Sequence, residues 1–214
     1  MKKNLFLLMI SIFFGFILVG CDVSGSSPNP TTSLKKETGE FLFALNSDGE
    51  SYVFIEYSGY DRYVSIPNTY NGLPVTIIAP YSFEGNNSIE VLIIPNTIIE
   101  IEAAAFDSLY RVTSITIPNS VTTIGENAFD ELYSLESIYI PSSVVNIGRN
   151  AIISHPHYDT DKELTIYVQF SNRDELIDSW GDFSWTDITE DNIVYGYDFE
   201  WSYLFINVGF YEKM

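Results

Sequence analysis

The 214-residue sequence is poor in the side chains that most often carry catalysis, with one cysteine (Cys21) and two histidines (His155 and His157). A single cysteine excludes a disulfide framework within the chain. Neither histidine lies in a recognisable catalytic triad, and the sequence contains no GxSxG, GxGxxG or Walker signature. We therefore expect a protein that is not an enzyme and that uses no cofactor.

Basic residues are also scarce, because 10 Lys and Arg stand against 29 Asp and Glu, which gives a net charge of -19 at pH 7. A chain with this charge repels phosphate and has no basic stripe that would release counterions, so we expect no nucleic-acid partner. Hydrophobic residues, in contrast, make up 46% of the chain, which also contains 15 Tyr, 15 Phe and 3 Trp. This content is enough to build a core.

One long apolar run occurs, and it lies at the N-terminus behind Lys2 and Lys3. Its 15 residues, 5–19, fall short of the roughly 20 that span a bilayer and are typical of a signal peptide, here residues 1–20. The tetrapeptide LVGC that ends at Cys21 resembles the bacterial lipobox, in which the cysteine is diacylated and becomes the mature N-terminus. The resemblance implies that Cys21 anchors the protein to the cell membrane, facing the extracellular side.

Residues 21–39 contain this cysteine and a stretch rich in Ser, Thr, Pro and Gly without periodic apolar positions, which predicts a flexible tether. Removal of the signal peptide takes away two lysines, so the mature charge is 8 minus 29, or -21. A surface this acidic is repelled by an anionic leaflet. We expect contact with the membrane through the lipid anchor only.

The rest of the chain is dominated by an internal repeat. The segment IPNSVTTIGENAF (117–129) recurs with few changes as IPSSVVNIGRNAI (140–152). Marker prolines at 67, 95, 118 and 141 have spacings of 28, 23 and 23, and the first spacing contains five inserted residues, YNGLP (70–74). A period of 23 lies within the range of about 20 to 29 residues of leucine-rich repeats, which predicts a repeat solenoid over residues 67–170.

Each repeat is predicted to form one strand followed by a short helical or 3-10 return. Ile138 and Ile140 alternate with Ser137 and Tyr139, so a strand at this place directs the isoleucines inward. The proline that follows ends the strand because it cannot donate to the ladder. Glycines at 125 and 148 are interpreted as the bend that precedes the return.

The two ends depart from the repeat and are interpreted as caps. Residues 40–66 contain two strand-like runs split at SDG (47–49), which predicts an N-terminal hairpin over the first coil. Ile166 and Val168 match Ile138 and Ile140 at an offset of 28 and predict a fifth strand after an insertion. Residues 171–214 lose the repeat and are rich in aromatic side chains, which indicates a C-terminal cap or extension.

The unit IPxSVxxIGxxAFxxLxxLxxIxIP, the lead-in IPNTYNGLPVTII and the later LTIYV resemble the BspA-type leucine-rich repeats of bacterial surface proteins. The resemblance covers about residues 40–180. It implies a cell-surface molecule that binds proteins or matrix components, and it implies no catalytic residues. The chain departs from the pattern at Ile152, where the repeat has Phe, and in the small number of its repeats.

The outward positions of the five predicted strands form two ladders that contain no charged residue. In a chain with 29 acidic residues, such a surface is typical of a recognition face for a protein or glycan, in which rigid rings give contact area at low entropic cost. β-branched and aromatic residues also suit strands in general, so both interpretations stay open. The candidate binding face comprises Tyr63, Val91, Ser114, Ser137 and Thr165 in one ladder and Ser65, Ile93, Thr116, Tyr139 and Tyr167 in the other.

The predicted face is small. Strands about 4.8 Å apart give a strip roughly 20 Å tall and about 10 Å wide. A standard protein interface needs about 800 Å² per partner. We therefore expect either that the flanking loops take part or that the ligand is an extended peptide or glycan segment.

A weak candidate for a metal site lies in the insertion HPHYDTD (155–161), where His155, His157, Asp159 and Asp161 offer nitrogen and oxygen ligands. The proline between the histidines extends the chain and points the two rings apart. We prefer a solvated loop and expect no metal.

Three functions are compatible with the sequence. The first, which we favour, is an adhesin or interaction module that binds an extracellular partner. The second is a structural scaffold that binds the cell's own envelope. The third is a hydrolase that uses the loop histidines and the Trp-rich C-terminal segment.

Overall fold

Residues 41–153 and 163–197 are described by a computed structural model and fold into short strands joined by turns. One α-helix, α1 (Arg173–Trp180), and one 3-10 turn, Glu190–Asn192, lie near the C-terminal end of these residues. The strands in chain order are β1 (Phe41–Leu45), β2 (Tyr52–Tyr57), β3 (Tyr63–Ser65), β4 (Thr69–Tyr70), β5 (Leu73–Ile78), β6 (Val91–Ile93), β7 (Glu100–Ile101), β8 (Ser114–Thr116), β9 (Thr123–Ile124), β10 (Ser137–Ile140), β11 (Asn146–Ile147), β12 (Thr165–Val168) and β13 (Ile193–Val194).

An antiparallel hairpin of β1 and β2 begins the described chain, as the sequence predicts. Its turn is held by Asp48, whose carboxylate accepts hydrogen bonds from the backbone N–H groups of Glu50 (2.8 Å) and Ser51 (3.1 Å). β2 then pairs with β5 in parallel. The hairpin therefore covers the first coil and leads directly into the repeats.

The repeats wind into a β-solenoid of about six turns, which confirms the predicted fold class. Typical coils contribute one strand to the front of the solenoid and one to its rear. The rear strands form a sheet in the order β1-β2-β5-β7-β9-β11, with β4 paired to β5 at its side. The front strands form two sheets, β3-β6 and β8-β10-β12-β13, and all of their pairings are parallel.

The five residues inserted in the first coil form a second hairpin, in which β4 and β5 pair antiparallel. Asn71 and Gly72 make its two-residue turn, with φ of 48° and 83°. Positive φ at both central residues is the geometry of a type I′ turn, for which Asn-Gly is a preferred sequence. The hairpin packs on the cap, because the ring of Tyr70 stacks on that of Phe43 with centroids 4.5 Å apart.

The return segments take the form of isolated i→i+3 turns, such as the hydrogen bond from the N–H of Asp107 to the carbonyl of Ala104 (3.2 Å), and not of continuous helices. Within the described coils they consist of turns and two-residue strands, with left-handed residues at fixed places in the repeat. One such place is occupied in successive coils by Tyr81, Ala104, Asn127 and Asn150, with φ between 51° and 59°. A left-handed residue interrupts a helix, and a segment this short cannot repay the cost of helix nucleation.

Backbone hydrogen bonds also join neighbouring coils, in addition to the i→i+3 bonds within each return segment. The N–H of Phe106 donates to the carbonyl of Ala128 (3.0 Å), and the N–H of Phe129 donates to that of Ala151 (2.9 Å). Each coil thus depends on its neighbour for hydrogen bonds as well as for burial of its apolar face.

Gly125 and Gly148 serve a close contact between coils, and not the bend that the sequence predicts. Neither has a positive φ. A Cβ atom at Gly125 would lie 2.4 Å from the backbone nitrogen of Ala103, and one at Gly148 would lie 2.4 Å from that of Glu126. A side chain at either position would push two coils apart.

Apolar side chains from the front and the rear fill the interior. Phe83, Phe106 and Phe129 are fully buried and stack in a row, with centroids 5.3 Å apart in each neighbouring pair. Ile138 and Ile140 point inward, with 0% and 1% of their surface exposed, as the strand alternation predicts. This row and the inward isoleucines make one continuous core along the solenoid.

Residues 163–197 close the C-terminal end. β12 continues the second front sheet, and β13 adds one further strand beside it. Ile152, which follows the phenylalanine row, forms a bridge with Thr186, and its N–H donates to the carbonyl of the buried Trp185 (3.0 Å).

Among the described residues, no helix has the length and apolar character that a membrane span requires.

Candidate functional site

The ten residues of the candidate binding face lie side by side on the front of the solenoid. The face is divided between β6 and β8, which are neighbours but belong to separate sheets. We call the part on β3 and β6 the first part and the part on β8, β10 and β12 the second part. The cross-strand pairs are Tyr63 with Val91 and Ser65 with Ile93 in the first part, and Ser114 with Ser137, Ser137 with Thr165, Thr116 with Tyr139 and Tyr139 with Tyr167 in the second.

The first part presents apolar surface to solvent. Tyr63 is 56% exposed and Ile93 is 49% exposed, although both lie on strands of the solenoid. At the edge of this part, Arg62 pairs with Glu90, and Arg111 lies 3.7 Å from the same carboxyl group. The hydrogen bond from Arg62 holds the pKa of Glu90 below its ordinary value. An aromatic and an aliphatic side chain thus stand next to a compact ion pair.

The second part ends in three tyrosines in mutual contact, Tyr139, Tyr167 and Tyr197, which we call the tyrosine cluster. The rings of Tyr139 and Tyr167 stack, with centroids 4.6 Å apart and planes 17° from parallel. Tyr197 lies 4.9 Å from Tyr139 at 44° and 5.3 Å from Tyr167 at 61°. All three side chains are half-buried, so each keeps part of its surface exposed.

The phenol of Tyr139 stays protonated at physiological pH. Burial raises its pKa above the ordinary value, and the neighbouring tyrosines raise it further, against a hydrogen bond with Ser137 that lowers it. The candidate face therefore carries no charge in its second part. The serines of this part are polar but neutral, and they pair with each other: the hydroxyl of Ser137 donates a hydrogen bond to that of Ser114 at 2.9 Å.

Tyr197 is a site residue that the sequence pattern does not predict. It follows β13, and its N–H donates to the carbonyl of Val168 on β12 (3.1 Å), which brings its ring beside Tyr167. The stretch IVYGY (193–197) alternates like a strand, which is the signal that points to it. Ile193 pairs with Ile166 at an offset that differs from the repeat period, so the period does not predict that Tyr197 lies at the site.

The rear of the solenoid has a depression of about 350 Å³, lined in part by Asp48, Glu50, Ile77 and Glu100. The carboxylate of Asp48 is already engaged by the hairpin turn, and the backbone hydrogen bond from Glu50 lowers its pKa. The Asp48 carboxylate is therefore accounted for by the structure of the cap. We therefore place the candidate site on the front face.

The proposed lipidation residue Cys21 and the weak metal candidates His155, His157, Asp159 and Asp161 lie outside the described residues. Within residues 41–153 and 163–197, no three or more His, Cys, Asp or Glu side chains are grouped so that they would hold a metal ion.

The sequence profile of the BspA type leucine-rich repeat region matches residues 51–158 of the chain, in six copies. This match spans the strands that carry the first part of the candidate face and β8 and β10 of the second. No curated protein matches the chain.

Three solved structures are similar to the chain. A leucine-rich repeat protein from Bacteroides ovatus is 25% identical, with a TM-score of 0.47, over 62% of this chain and 37% of that protein. A leucine-rich repeat protein of T. pallidum is 18% identical, with a TM-score of 0.34, over 53% and 81%. A leucine-rich cell surface protein from Faecalibacterium prausnitzii is 19% identical, with a TM-score of 0.27, over 67% and 56%. The chain thus spans little more than a third of the Bacteroides protein's length.

Proposed function

Because the chain belongs to the BspA-type leucine-rich repeat family, we propose that it is a surface protein whose front face binds an extracellular protein or matrix partner. The observation that carries the proposal is the contrast between this face and the rest of the molecule. The ten ladder residues are uncharged, while the whole chain has a net charge of -19. Exposed Tyr63 and Ile93 stand on the same face, and apolar side chains exposed in this way are typical of interaction sites.

The dimensions of the face favour an extended ligand. Front strands in register about 4.8 Å apart make a narrow strip. The area of this strip is smaller than the roughly 800 Å² that a globular partner buries on each side. An extended segment that crosses the strands contacts both the exposed first part and the tyrosine cluster. We therefore expect the ligand to be an extended peptide or glycan segment, with flanking loops adding contacts.

The surface location is part of the same proposal. The apolar run at residues 5–19 and the LVGC sequence that ends at Cys21 support export followed by diacylation. Two acyl chains hold a protein to a membrane far more firmly than one. In this account the protein is an adhesin or interaction module held at the cell surface by its lipid, and a scaffold for the cell's own envelope is the alternative.

Site-specific photo-crosslinking on intact cells tests the proposal. A photoreactive residue replaces Ile93 on the front face, and the matched control replaces Val145, an aliphatic residue that is 57% exposed next to the rear strand β11. We expect a partner, identified by mass spectrometry, that is captured at position 93 and not at position 145. Capture of a host or environmental macromolecule supports the adhesin, and capture of an envelope component supports the scaffold. Equal capture at both positions, or none at either, contradicts a front-face site.

A further inference from the structure

The three rings of the tyrosine cluster lie in two orientations, and each residue keeps part of its surface exposed. Tyr139 and Tyr167 lie nearly parallel, whereas Tyr197 is inclined by 44° and 61° to them. The face of an aromatic ring carries negative charge density, which attracts a cation placed over it. We propose that the tyrosine cluster is a subsite for a cationic group of the partner, a lysine, arginine or quaternary ammonium; this inference rests on the proposed binding function of the front face.

Charge complementarity selects a cation over an anion. The chain has a net charge of -19, so its field attracts positive groups to the surface. The cluster consists of three tyrosines and contains no carboxylate, so it would hold a cation by the π faces of its rings. An acidic ligand meets the repulsion of the whole chain, and the negative faces of the three rings do not attract it.

The protein uses the same interaction within its own C-terminal cap. The guanidinium of Arg173 lies over the ring of Phe183, 5.4 Å from the centroid, and also pairs with Glu190 at 2.9 Å. Arg62 is likewise engaged, with Glu90. Neither of these two arginines is in the tyrosine cluster, so neither occupies the proposed subsite.

The cluster is already organised for binding. Each tyrosine contacts the other two, and all three are half-buried, so their rotamers are restricted before a ligand arrives. Ligand binding therefore costs less side-chain entropy than it does at isolated surface tyrosines. The raised pKa of Tyr139 keeps its phenol neutral across the physiological pH range.

A titration with tetramethylammonium chloride tests the subsite directly. The full lipidated chain, held in nanodiscs and labelled with fluorotyrosine, is followed by fluorine NMR, with resonances assigned from single Tyr-to-Phe variants. We expect saturable shifts at the three cluster tyrosines and none with neopentyl alcohol, a neutral molecule of similar shape, at equal concentration. Potassium chloride provides the control for ionic strength.

Variants sharpen the test. Tyr197→Ala should weaken tetramethylammonium binding about two- to fivefold, the usual contribution of one exposed cation–π contact. Tyr60→Ala, at a tyrosine that is 87% exposed and lies outside the candidate face, should leave this binding unchanged. Equal responses to the cation and to neopentyl alcohol overturn the cationic subsite, as do shifts spread over tyrosines elsewhere or no shift at all. None of these results bears on capture at Ile93, so the subsite and the proposed function fail separately.

Discussion

The ring of Phe106 stacks on that of Phe129 in the next coil, with centroids 5.3 Å apart and planes 18° from parallel. Phe83 extends the row on the other side, again at 5.3 Å. This distance is close to the separation of paired strands, so each ring covers the next as the coils stack. The residues that recur with the repeat period thus form an aromatic column inside the solenoid. Each ring of the column is covered by the ring of the next coil, so neighbouring coils stabilise one another.

Truncation of the column should destabilise the whole array. We expect Phe106→Ala to lower the free energy of unfolding by about 3 to 5 kcal/mol, because it leaves a cavity between two rings. Urea denaturation followed by circular dichroism measures the change. Tyr63→Ala, at a site 56% exposed, should change it by no more than about 0.5 kcal/mol. A loss below about 1 kcal/mol at Phe106 would show that the coils do not rely on the column.

Backbone strain predicts a stabilising change at Tyr81, which has φ of 59° and is 54% exposed. Tyr81→Gly removes a left-handed strain of about 1 to 2 kcal/mol and adds a backbone entropy cost of about 0.5 to 1 kcal/mol. The net gain in unfolding free energy should be about 0.5 to 1 kcal/mol by thermal and urea unfolding. Tyr60→Gly is the matched control, since Tyr60 is 87% exposed without a positive φ, and it should give no gain. A gain of equal size at both sites would contradict the role of strain.

Crowded carboxylates predict a pH-dependent effect at Asp107. Burial raises the pKa of this residue, and the charges of Glu131, Asp130 and Glu84 raise it further, while a hydrogen bond with Ser108 lowers it. A carboxyl group whose pKa is higher in the folded than in the unfolded state lowers the free energy of unfolding at a pH above both pKa values. This loss of stability disappears as the pH falls below the pKa of the unfolded state.

Asp107→Asn should therefore raise the free energy of unfolding at pH 7, by less than about 1 kcal/mol because the group is partly exposed. The asparagine oxygen can still accept the hydrogen bond from the Ser108 hydroxyl. Urea denaturation of both proteins between pH 3 and about pH 7 measures the difference, which should vanish at the acidic end. A difference that persists there would assign the effect to packing instead of charge.

Lipid anchoring predicts the behaviour of Cys21→Ser. Without a thiol no acyl chain can be attached, so the variant should move from the membrane fraction to the soluble fraction and lose radiolabelled palmitate. Replacement of a serine elsewhere in the tether, Ser24→Ala, provides a control variant that should remain in the membrane fraction. Retention of Cys21→Ser in the membrane at the level of the unaltered protein would contradict the anchor.

Long-range features of the fold follow from the repeat period. Residues one period apart occupy the same place in successive coils, which is why Ser114 and Ser137 pair as the pattern predicts. The alternation around Ile138 and Ile140 likewise predicts their burial. The SDG turn predicts the first hairpin because its chemistry is local: Asp48 holds the turn by hydrogen bonds to residues two and three positions ahead.

Other features depend on contacts that a single repeat does not reveal. The close approach of Gly148 to Glu126 is a distance between coils, and no local propensity records it. Ala104 has a left-handed φ against the preference of alanine, and its N–H donates to the carbonyl of Glu126 in the next coil, a contact that local propensity does not record. Tyr197 joins the site through pairing that breaks the period. For the division of the front face between β6 and β8 we have no physical account.

A pair of charge insertions tests the front-face site most directly. Ile93→Asp and Val145→Asp place the same charge at two similarly exposed aliphatic positions, one on the front face and one on the rear side. Affinity for the partner captured at position 93 is then measured by surface plasmon resonance for both variants. We expect Ile93→Asp to weaken binding at least about tenfold and Val145→Asp to leave it unchanged, because only the front substitution buries a carboxylate against the partner. Equal affinities for the two variants would contradict recognition by the front face.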